Sequence, residues 1–264
     1  MNKIPLSTKD FAWVLFALLT IGCKTHKGLE RFEKALEIVY QLPIQDSKES
    51  MLRARQTLRL VERDSISIFI IPFFTHVMRN NIDKNGDLIS EEWIRTDTSE
   101  YYVIYKENNS FGFVYDTSIH KVWRKIEVDS FLTSSSVLSL DSFASHMTDH
   151  DTLVSSVSSN DGSVLTEVYI PKIKNDFTYS DSTIIKYDKA LNDFRFSFSR
   201  KRDQENHRKL CQIKMVYNPD PQATTPELRH GRVISFEMNP VKMVISAYID
   251  SLVRKFESLS GAER

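Results

Sequence analysis

The chain has 264 residues, of which 41% are hydrophobic and 11% aromatic, and this composition is that of a folded globular protein rather than a disordered one. Lysine plus arginine and aspartate plus glutamate number 35 each, so no field of one sign covers the whole molecule. A dedicated nucleic-acid binder is therefore not expected, because its affinity depends on neutralising phosphates.

The N-terminus has the organisation of a secretory signal peptide. A short basic segment precedes an apolar run over residues 11–21, and the small residue Gly22 follows it directly before Cys23. The run is too short to cross a bilayer as a helix, since about 20 apolar residues are needed for that. We therefore predict that residues 1–22 are a signal peptide and that the mature chain begins at Cys23.

The segment Leu19-Thr20-Ile21-Gly22-Cys23 resembles the lipobox of bacterial lipoproteins, in the looser form of the Bacteroidetes. The usual pattern has leucine three places before the cysteine, where this chain has Thr20. In that family a diacylglycerol is attached to the cysteine thiol and the signal is cut just before it. The resemblance, which covers residues 1–23, implies lipidation of Cys23 and contact with the membrane through N-terminal acyl chains. Lys24, rather than aspartate, follows the cysteine, and its resemblance to enterobacterial sorting signals favours the outer membrane, facing the periplasm or the cell surface.

The chain has one further cysteine, Cys211. If Cys23 carries lipid, an intrachain disulfide cannot form, and the core alone must hold the fold. Cys211 shares an alternating apolar pattern with Ile213 and Met215, which predicts one face of a strand. We interpret Cys211 as a small buried apolar residue rather than as a nucleophile.

Helical spacing predicts two helices in the first part of the mature chain. Apolar residues recur three or four places apart before Pro43, which ends the first helix. They are Leu29, Phe32, Leu36 and Val39. A second, basic helix is predicted over residues 47–63, opened by Ser47. The apolar stretch 65–74 predicts a core strand or a buried helix.

From residue 100 onward, apolar and polar residues alternate with the period of a β-strand. The predicted strands form a hairpin over 100–118, a strand over 120–128, a strand over 164–171, a second hairpin over 180–202, and strands over 209–219 and 232–240. Asn239 and Pro240 then predict the start of an amphipathic helix that ends near residue 259. The charged segment 200–209 is predicted to be a loop.

This order of elements predicts an α+β fold. We expect N-terminal helices, an antiparallel sheet of about 7–8 strands and a C-terminal amphipathic helix. The predicted organisation is a signal peptide over 1–22, a helical region over 23–98 and a sheet with the final helix over 99–264, with the last two regions forming one domain.

Two groups of residues are candidate metal ligands. The first has the spacing of the opening positions of an EF-hand calcium loop and consists of Asp83, Asn85 and Asp87. Leu88 stands where that loop needs glycine, and the glutamate needed at its twelfth position is out of register. We therefore prefer a polar turn followed by a short helix over residues 90–95.

The second group consists of His146, Asp149 and His150. Two histidines four residues apart lie on one face of a helix and can bind Zn²⁺, but a catalytic site also needs a third ligand and a base. Met147 stands where the zincin motif has its glutamate, and the surrounding segment is predicted to be a surface loop. The seven glycines form no cluster that could cradle a phosphate, so no nucleotide or other cofactor is predicted.

These observations favour a lipid-anchored cell-envelope protein with a non-catalytic body that binds or assembles a protein partner. A carrier of an apolar ligand in a half-open β-barrel or sandwich is the first alternative, and it requires a dry interior pocket. A metal-dependent enzyme that uses the His146 and His150 cluster is the second. A filled core with an exposed apolar patch would favour the interaction role.

Overall fold

Eleven strands form one sheet in the part of the chain that the structure describes. The computed structural model describes residues 32–45, 51–117, 123–134, 138–140, 151–172, 180–222, 229 and 231–261. The strands are β1 (Phe32–Gln45), β2 (Met51–Arg63), β3 (Ile66–Ile82), β4 (Leu88–Lys106), β5 (Phe111–Asp116), β6 (Trp123–Glu127), β7 (Asp151–Ser158), β8 (Val164–Pro171), β9 (Ser182–Asp188), β10 (Lys209–Tyr217) and β11 (Arg232–Val244). The helices are α1 (Val128–Ser134), α2 (Arg200–Asn206) and α3 (Ala247–Gly261).

The sheet is a meander whose first and last strands lie side by side. The strand order is β6-β5-β4-β3-β2-β1-β11-β10-β9-β8-β7. Sequence neighbours within each half pair antiparallel. The pairing of β1 with β11 is the one junction between the two halves, and β6 and β7 are the two edges.

The central strands bury both of their faces, and this gives the molecule two apolar cores. The first core lies on the face of Leu36, Leu60 and Phe69, and it is covered by residues 138–140, by residues 191–198 and by α1. The second lies on the face of Ala35, Val61 and Ile68, and α3 covers it. The buried residues of α3 share one side of the helix and are Ile249, Leu252, Val253 and Phe256.

The predicted α+β fold with N-terminal helices is wrong, because residues 32–45 and 51–63 form β1 and β2. The two strands pair along their whole length, from Lys34 with Glu62 to Gln45 with Met51. A strand that is buried on both faces carries apolar residues at adjacent positions. Such a run also contains pairs three and four residues apart, and the sequence pattern was therefore compatible with a helix.

Three further elements differ from the predictions. The three alternating phenylalanines of residues 194–198 were predicted to form a strand, but they belong to an irregular segment that inserts into the first core. The charged segment after it is not a loop, since it forms α2, which Ser199 caps by accepting a hydrogen bond from the Arg202 N–H. The final helix does not begin at Pro240, because β11 continues to Val244 and α3 starts at Ala247.

Candidate functional site

The two longest strands, β3 and β4, continue beyond the sheet as a projecting hairpin, which we call the arm. It consists of residues 72–82 of β3, the turn 83–87 and residues 88–100 of β4. Strand β2 pairs with β3 only over residues 66–70, and β5 pairs with β4 only over residues 101–105. Among the described residues, the outer edges of the arm therefore have no neighbouring strand.

The arm exposes large apolar side chains to an unusual extent. Trp93 is 60% exposed, and seven more are exposed on the same hairpin. These are Phe73, Phe74, Met78, Ile82, Leu88, Ile89 and Ile94. A two-stranded hairpin without a covered apolar face is marginally stable in water. Contiguous exposed apolar surface of this kind marks interaction sites in soluble domains.

Most of these apolar residues lie on one face of the arm, which we call the apolar stripe. Residues that are directly opposite in an antiparallel pair point to the same face. The register places Met78 opposite Trp93 and Ile82 opposite Leu88, and Phe74 shares their face because it lies an even number of residues along β3. The stripe continues the face of the sheet that α3 covers near Ile70. It is the uncovered extension of the second core.

Polar contacts within the stripe hold its side chains in order. The ring Nδ1 of His76 lies 2.9 Å from the Thr96 Oγ1 directly opposite. The indole N–H of Trp93 donates to the same hydroxyl over 3.2 Å. The tryptophan ring is therefore tied to a residue of its own strand, with most of its surface exposed to solvent.

The opposite face of the arm is charged. Arg79 pairs with Glu92 at 3.4 Å and Arg95 with Asp97 at 2.9 Å, and all four side chains are more than half exposed. Exposed ion pairs of this kind stabilise a fold by about 0–1 kcal/mol each. They keep this face hydrated, so the arm is amphipathic across its two faces.

The calcium-loop candidates Asp83, Asn85 and Asp87 lie at the tip of the arm. The Asp83 N–H donates to the Asp87 carbonyl over 2.9 Å, and one Asp83 carboxylate oxygen accepts from the N–H groups of Asn85 and Asp87 at 2.8 and 2.9 Å. Gly86, at φ +90°, supplies the left-handed residue that the turn needs. The expected polar turn is present, but the short helix predicted over residues 90–95 is wrong, because these residues belong to β4.

The other sequence-derived candidates lie outside the described residues. This holds for the lipidation site Cys23 and for His146, Asp149 and His150. Within the described ranges, no three histidine, cysteine, aspartate or glutamate side chains come close enough to hold a metal ion together.

The clefts at the other end of β3 and β4 are open and polar. One of about 760 Å³ lies beside the C-terminal end of α3, and its polar lining includes Asp64, Lys106 and Glu257. A second, of about 450 Å³, has Arg195 and Asp129 among its lining residues. Both are open to solvent along one side. An apolar ligand would be poorly matched to these walls, since carrier pockets enclose their ligand in apolar surface.

A buried carboxylate, Glu62, fixes the segment that fills the first core. Its two oxygens accept hydrogen bonds of 3.0–3.1 Å from the backbone N–H groups of Arg195 and Phe196. The Arg195 guanidinium lies 3.8 Å from the same carboxylate and donates to the carbonyl of Ile66. These contacts join β2 and β3 to the inserted segment, so we assign Glu62 and Arg195 to the fold rather than to a ligand.

A second buried polar group lies on β8 and β9. The Tyr169 hydroxyl donates to the buried Glu167 carboxylate over 2.8 Å. Burial, followed by the hydrogen bond to Glu167, raises the pKa of Tyr169 to about 12. Burial, followed by the negative charge of Glu167, also raises the pKa of Tyr187. Both tyrosines remain neutral at physiological pH, and we interpret the bond between Tyr169 and Glu167 as structural.

The prediction that Cys211 is a buried apolar residue is confirmed. Its side chain lies in the first core, and its thiol donates to the Lys186 carbonyl over 3.3 Å. Burial is the main cause that raises the pKa of the Cys211 thiol to about 12. Because the thiolate is the reactive form, this cysteine is inert in the folded protein.

At pH 8, Cys211 of the folded protein is expected to react with iodoacetamide about 1,000-fold more slowly than Cys211 of the chain unfolded in urea. The reason is that the raised pKa lowers the fraction of thiolate by about that factor. As the pH rises, the Cys211 thiol loses its proton at a lower pH in the unfolded chain than in the folded protein. Its contribution to the free energy of unfolding is therefore complete below pH 9 and declines as the pH approaches 12. The measurement uses Cys23→Ser protein, in which Cys211 is the remaining cysteine, and mass spectrometry of timed samples. Native labelling within tenfold of the unfolded rate would contradict the burial.

Comparison with known proteins does not assign this chain to a family. No family model matches it, and no curated protein has a significantly similar sequence. No helix in the described residues is long and apolar enough to cross a membrane. The function must therefore be argued from the arm and from the N-terminal sequence.

The arm was not predicted from the sequence, although the sequence contains one signal for it. Asn85-Gly86 between two segments that contain alternating apolar residues is a strong short-range hairpin signal. The pattern is interrupted on β4, where bulges opposite Val77/Met78 and Asn81/Ile82 insert Ile94 and Ile89. Each bulge shifts the alternation by one residue, so the period along β4 could not be followed without the register.

Proposed function

We propose that this protein is a lipid-anchored component of the bacterial cell envelope with a non-catalytic body that binds or assembles a protein partner through the arm. The observation that carries the binding role is the apolar stripe, which is large, exposed and ordered on a hairpin that has no core of its own. Burial of the stripe against a partner would stabilise both the complex and the arm.

The anchor is supported by the N-terminal sequence. The apolar run ends at Gly22-Cys23, and the first strand of the sheet begins at Phe32. Acyl chains contribute about 0.8 kcal/mol per buried CH₂, so two or more chains on Cys23 would hold the body firmly at one leaflet. By its resemblance to sorting signals, Lys24 favours the outer membrane.

The carrier alternative has less support. The first core is filled by aromatic side chains, with the ring of Phe69 at centroid distances of 5.6 Å from Phe196 and 5.7 Å from Phe131. The two larger clefts described above have polar walls and are open to solvent. A dry pocket for an apolar ligand is not among them.

Cells that produce the Cys23→Ser variant are expected to lose acylation of this protein. Wild-type protein should incorporate labelled palmitate, fractionate with membranes and have the mass of a chain cut before residue 23. The variant should remain unlabelled and retain residues 1–22, since the thiol that accepts the lipid is absent. Cys211→Ser is the matched control and should be labelled like the wild type. Equal labelling and mass of the Cys23→Ser and wild-type proteins would refute the anchor.

A further inference from the structure

The apolar stripe has an internal symmetry along its length. It consists of five rows of two residues, one from each strand. From the base to the tip they are Phe74 and Thr98, His76 and Thr96, Met78 and Trp93, Asn80 and Glu91, and Ile82 and Leu88. The first, third and fifth rows contain the apolar residues, and the second and fourth rows are polar.

This order reads the same from the tip as from the base. The central row, Met78 with Trp93, is therefore the position through which a two-fold axis would pass. Two identical surfaces related by a two-fold axis must be self-complementary, since every contact occurs twice. If a second arm is placed face to face and antiparallel on the first, apolar rows meet apolar rows and polar rows meet polar rows.

The chemistry of the opposed rows also matches. Phe74 of one arm would lie opposite Ile82 of the other, and Met78 and Trp93 would each lie opposite their own counterpart, with the sulfur of one arm diagonal to the indole of the other. His76 would lie opposite Asn80, and Thr96 would lie opposite Glu91. The single carboxylate of the stripe would thus face a hydroxyl that can donate a hydrogen bond to it.

We propose that the arm binds the arm of a second copy of this chain, face to face across a two-fold axis through Met78 and Trp93. The inference rests on the binding role assigned to the arm and not on the lipid anchor. The ion pairs of Arg79 with Glu92 and of Arg95 with Asp97 lie on the opposite face, so they would stay hydrated in the dimer.

The size of the stripe sets the expected strength of this interface. The stripe is roughly 27 Å long, from eight residue steps of about 3.4 Å. Five large apolar side chains, each about half exposed, together with the polar rows, would bury roughly 500 Å² per copy, and the total of about 1,000 Å² is at the lower limit of specific interfaces. A dissociation constant in the micromolar range is expected, and shared anchoring to one leaflet would raise the effective concentration.

A membrane surface fits the stripe less well than a second copy does. Asp83 and Asp87 lie at the tip of the arm, and Glu91 lies within the stripe. An anionic leaflet repels these carboxylates, and none of them could enter the apolar boundary without losing its hydration.

The first test is cross-linking with a bismaleimide that spans about 10 Å, the spacing of two sheets packed face to face, in lysates of cells that produce full-length protein. Met78→Cys places a thiol at the proposed axis, opposite its own counterpart, whereas the neighbouring Arg79→Cys points to the opposite face. Met78→Cys is expected to give at least tenfold more covalent dimer than Arg79→Cys. Equal yields from the two variants overturn the proposal.

The wild-type protein in the same experiment separates this proposal from the lipid anchor. Cys211 is buried, so a cross-linked wild-type dimer would have to form through an unmodified Cys23. Such a dimer would count against lipidation, while the ratio between Met78→Cys and Arg79→Cys would still decide the arm pairing.

The second test introduces a charged residue at the proposed two-fold axis. Trp93→Glu and Trp93→Lys, produced separately with two different tags, are each expected to lose self-association in detergent by at least tenfold, because like charges would meet. Co-production should restore a mixed dimer, because Glu and Lys then face each other. Phe111→Glu, at an exposed phenylalanine on β5 outside the arm, is the matched control and should dimerise like the wild type. Self-association that survives both Trp93 substitutions, or that co-production fails to restore, contradicts the pairing.

Discussion

Replacement of Phe69 by alanine is expected to lower the free energy of unfolding by about 3–5 kcal/mol, the range measured for phenylalanine deletions in well-packed cores. Phe69 is fully buried in the first core, where its ring contacts Phe131 of α1, Phe196 of the inserted segment and Tyr105 of β4. Alanine would leave a cavity at the point where these three elements meet. Urea denaturation followed by circular dichroism measures the change.

Phe73 provides the matched control for this prediction. It lies on the same strand and the same face, four residues farther along β3, but it is 52% exposed on the arm. Phe73→Ala should change the free energy of unfolding by less than about 1 kcal/mol, since little apolar surface is buried there. Equal losses for the two variants would mean that the arm is packed as tightly as the core.

Replacement of Glu62 by glutamine is expected to cost about 3–5 kcal/mol, the range for removal of one partner from a buried ion pair. The side chain of Glu62 is 5% exposed, and its oxygens accept from the N–H groups of Arg195 and Phe196. In glutamine, an NH₂ group replaces one of the two carboxylate oxygens. This group is a hydrogen-bond donor, and it would face the N–H donors of Arg195 and Phe196. It would also leave the Arg195 guanidinium without this charge partner.

The control for Glu62 is the surface pair of Glu37 with Arg59, whose atoms are 3.5 Å apart and whose side chains are 35% and 49% exposed. Glu37→Gln should cost less than about 1 kcal/mol, because solvent screens exposed pairs. Thermal unfolding of both variants at one pH gives the comparison. A loss for Glu62→Gln as small as that for Glu37→Gln would show that the inserted segment does not depend on this carboxylate.

The strands that were predicted correctly from the sequence are those in which apolar and polar residues alternate without interruption. The strand over residues 164–171 is confirmed with the same bounds, and so are the hairpin of β4 with β5 and the strand beginning at Lys209. Their partners are close in the sequence, so local pattern and turn residues were sufficient. Strand β7 was missed, because its serine-rich sequence resembles a loop.

The remaining elements depend on tertiary contacts that a local pattern does not contain. Strands β1 and β2 are strands because two cores, one on each face, cover them. Residues 194–198 alternate like a strand but are held by the Glu62 carboxylate, which is more than 130 residues away in the sequence. In the candidate site, Met78 meets Trp93 only because a bulge at Ile94 shifts the register.

The junction between β1 and β11 has a consequence for how the protein is made. Strand β1 is synthesised early, but its second neighbour consists of residues 232–244, which are synthesised much later. Until then, one edge of the N-terminal half stays open and able to pair with other chains. Folding must therefore finish with a contact between distant parts of the chain, which is slow.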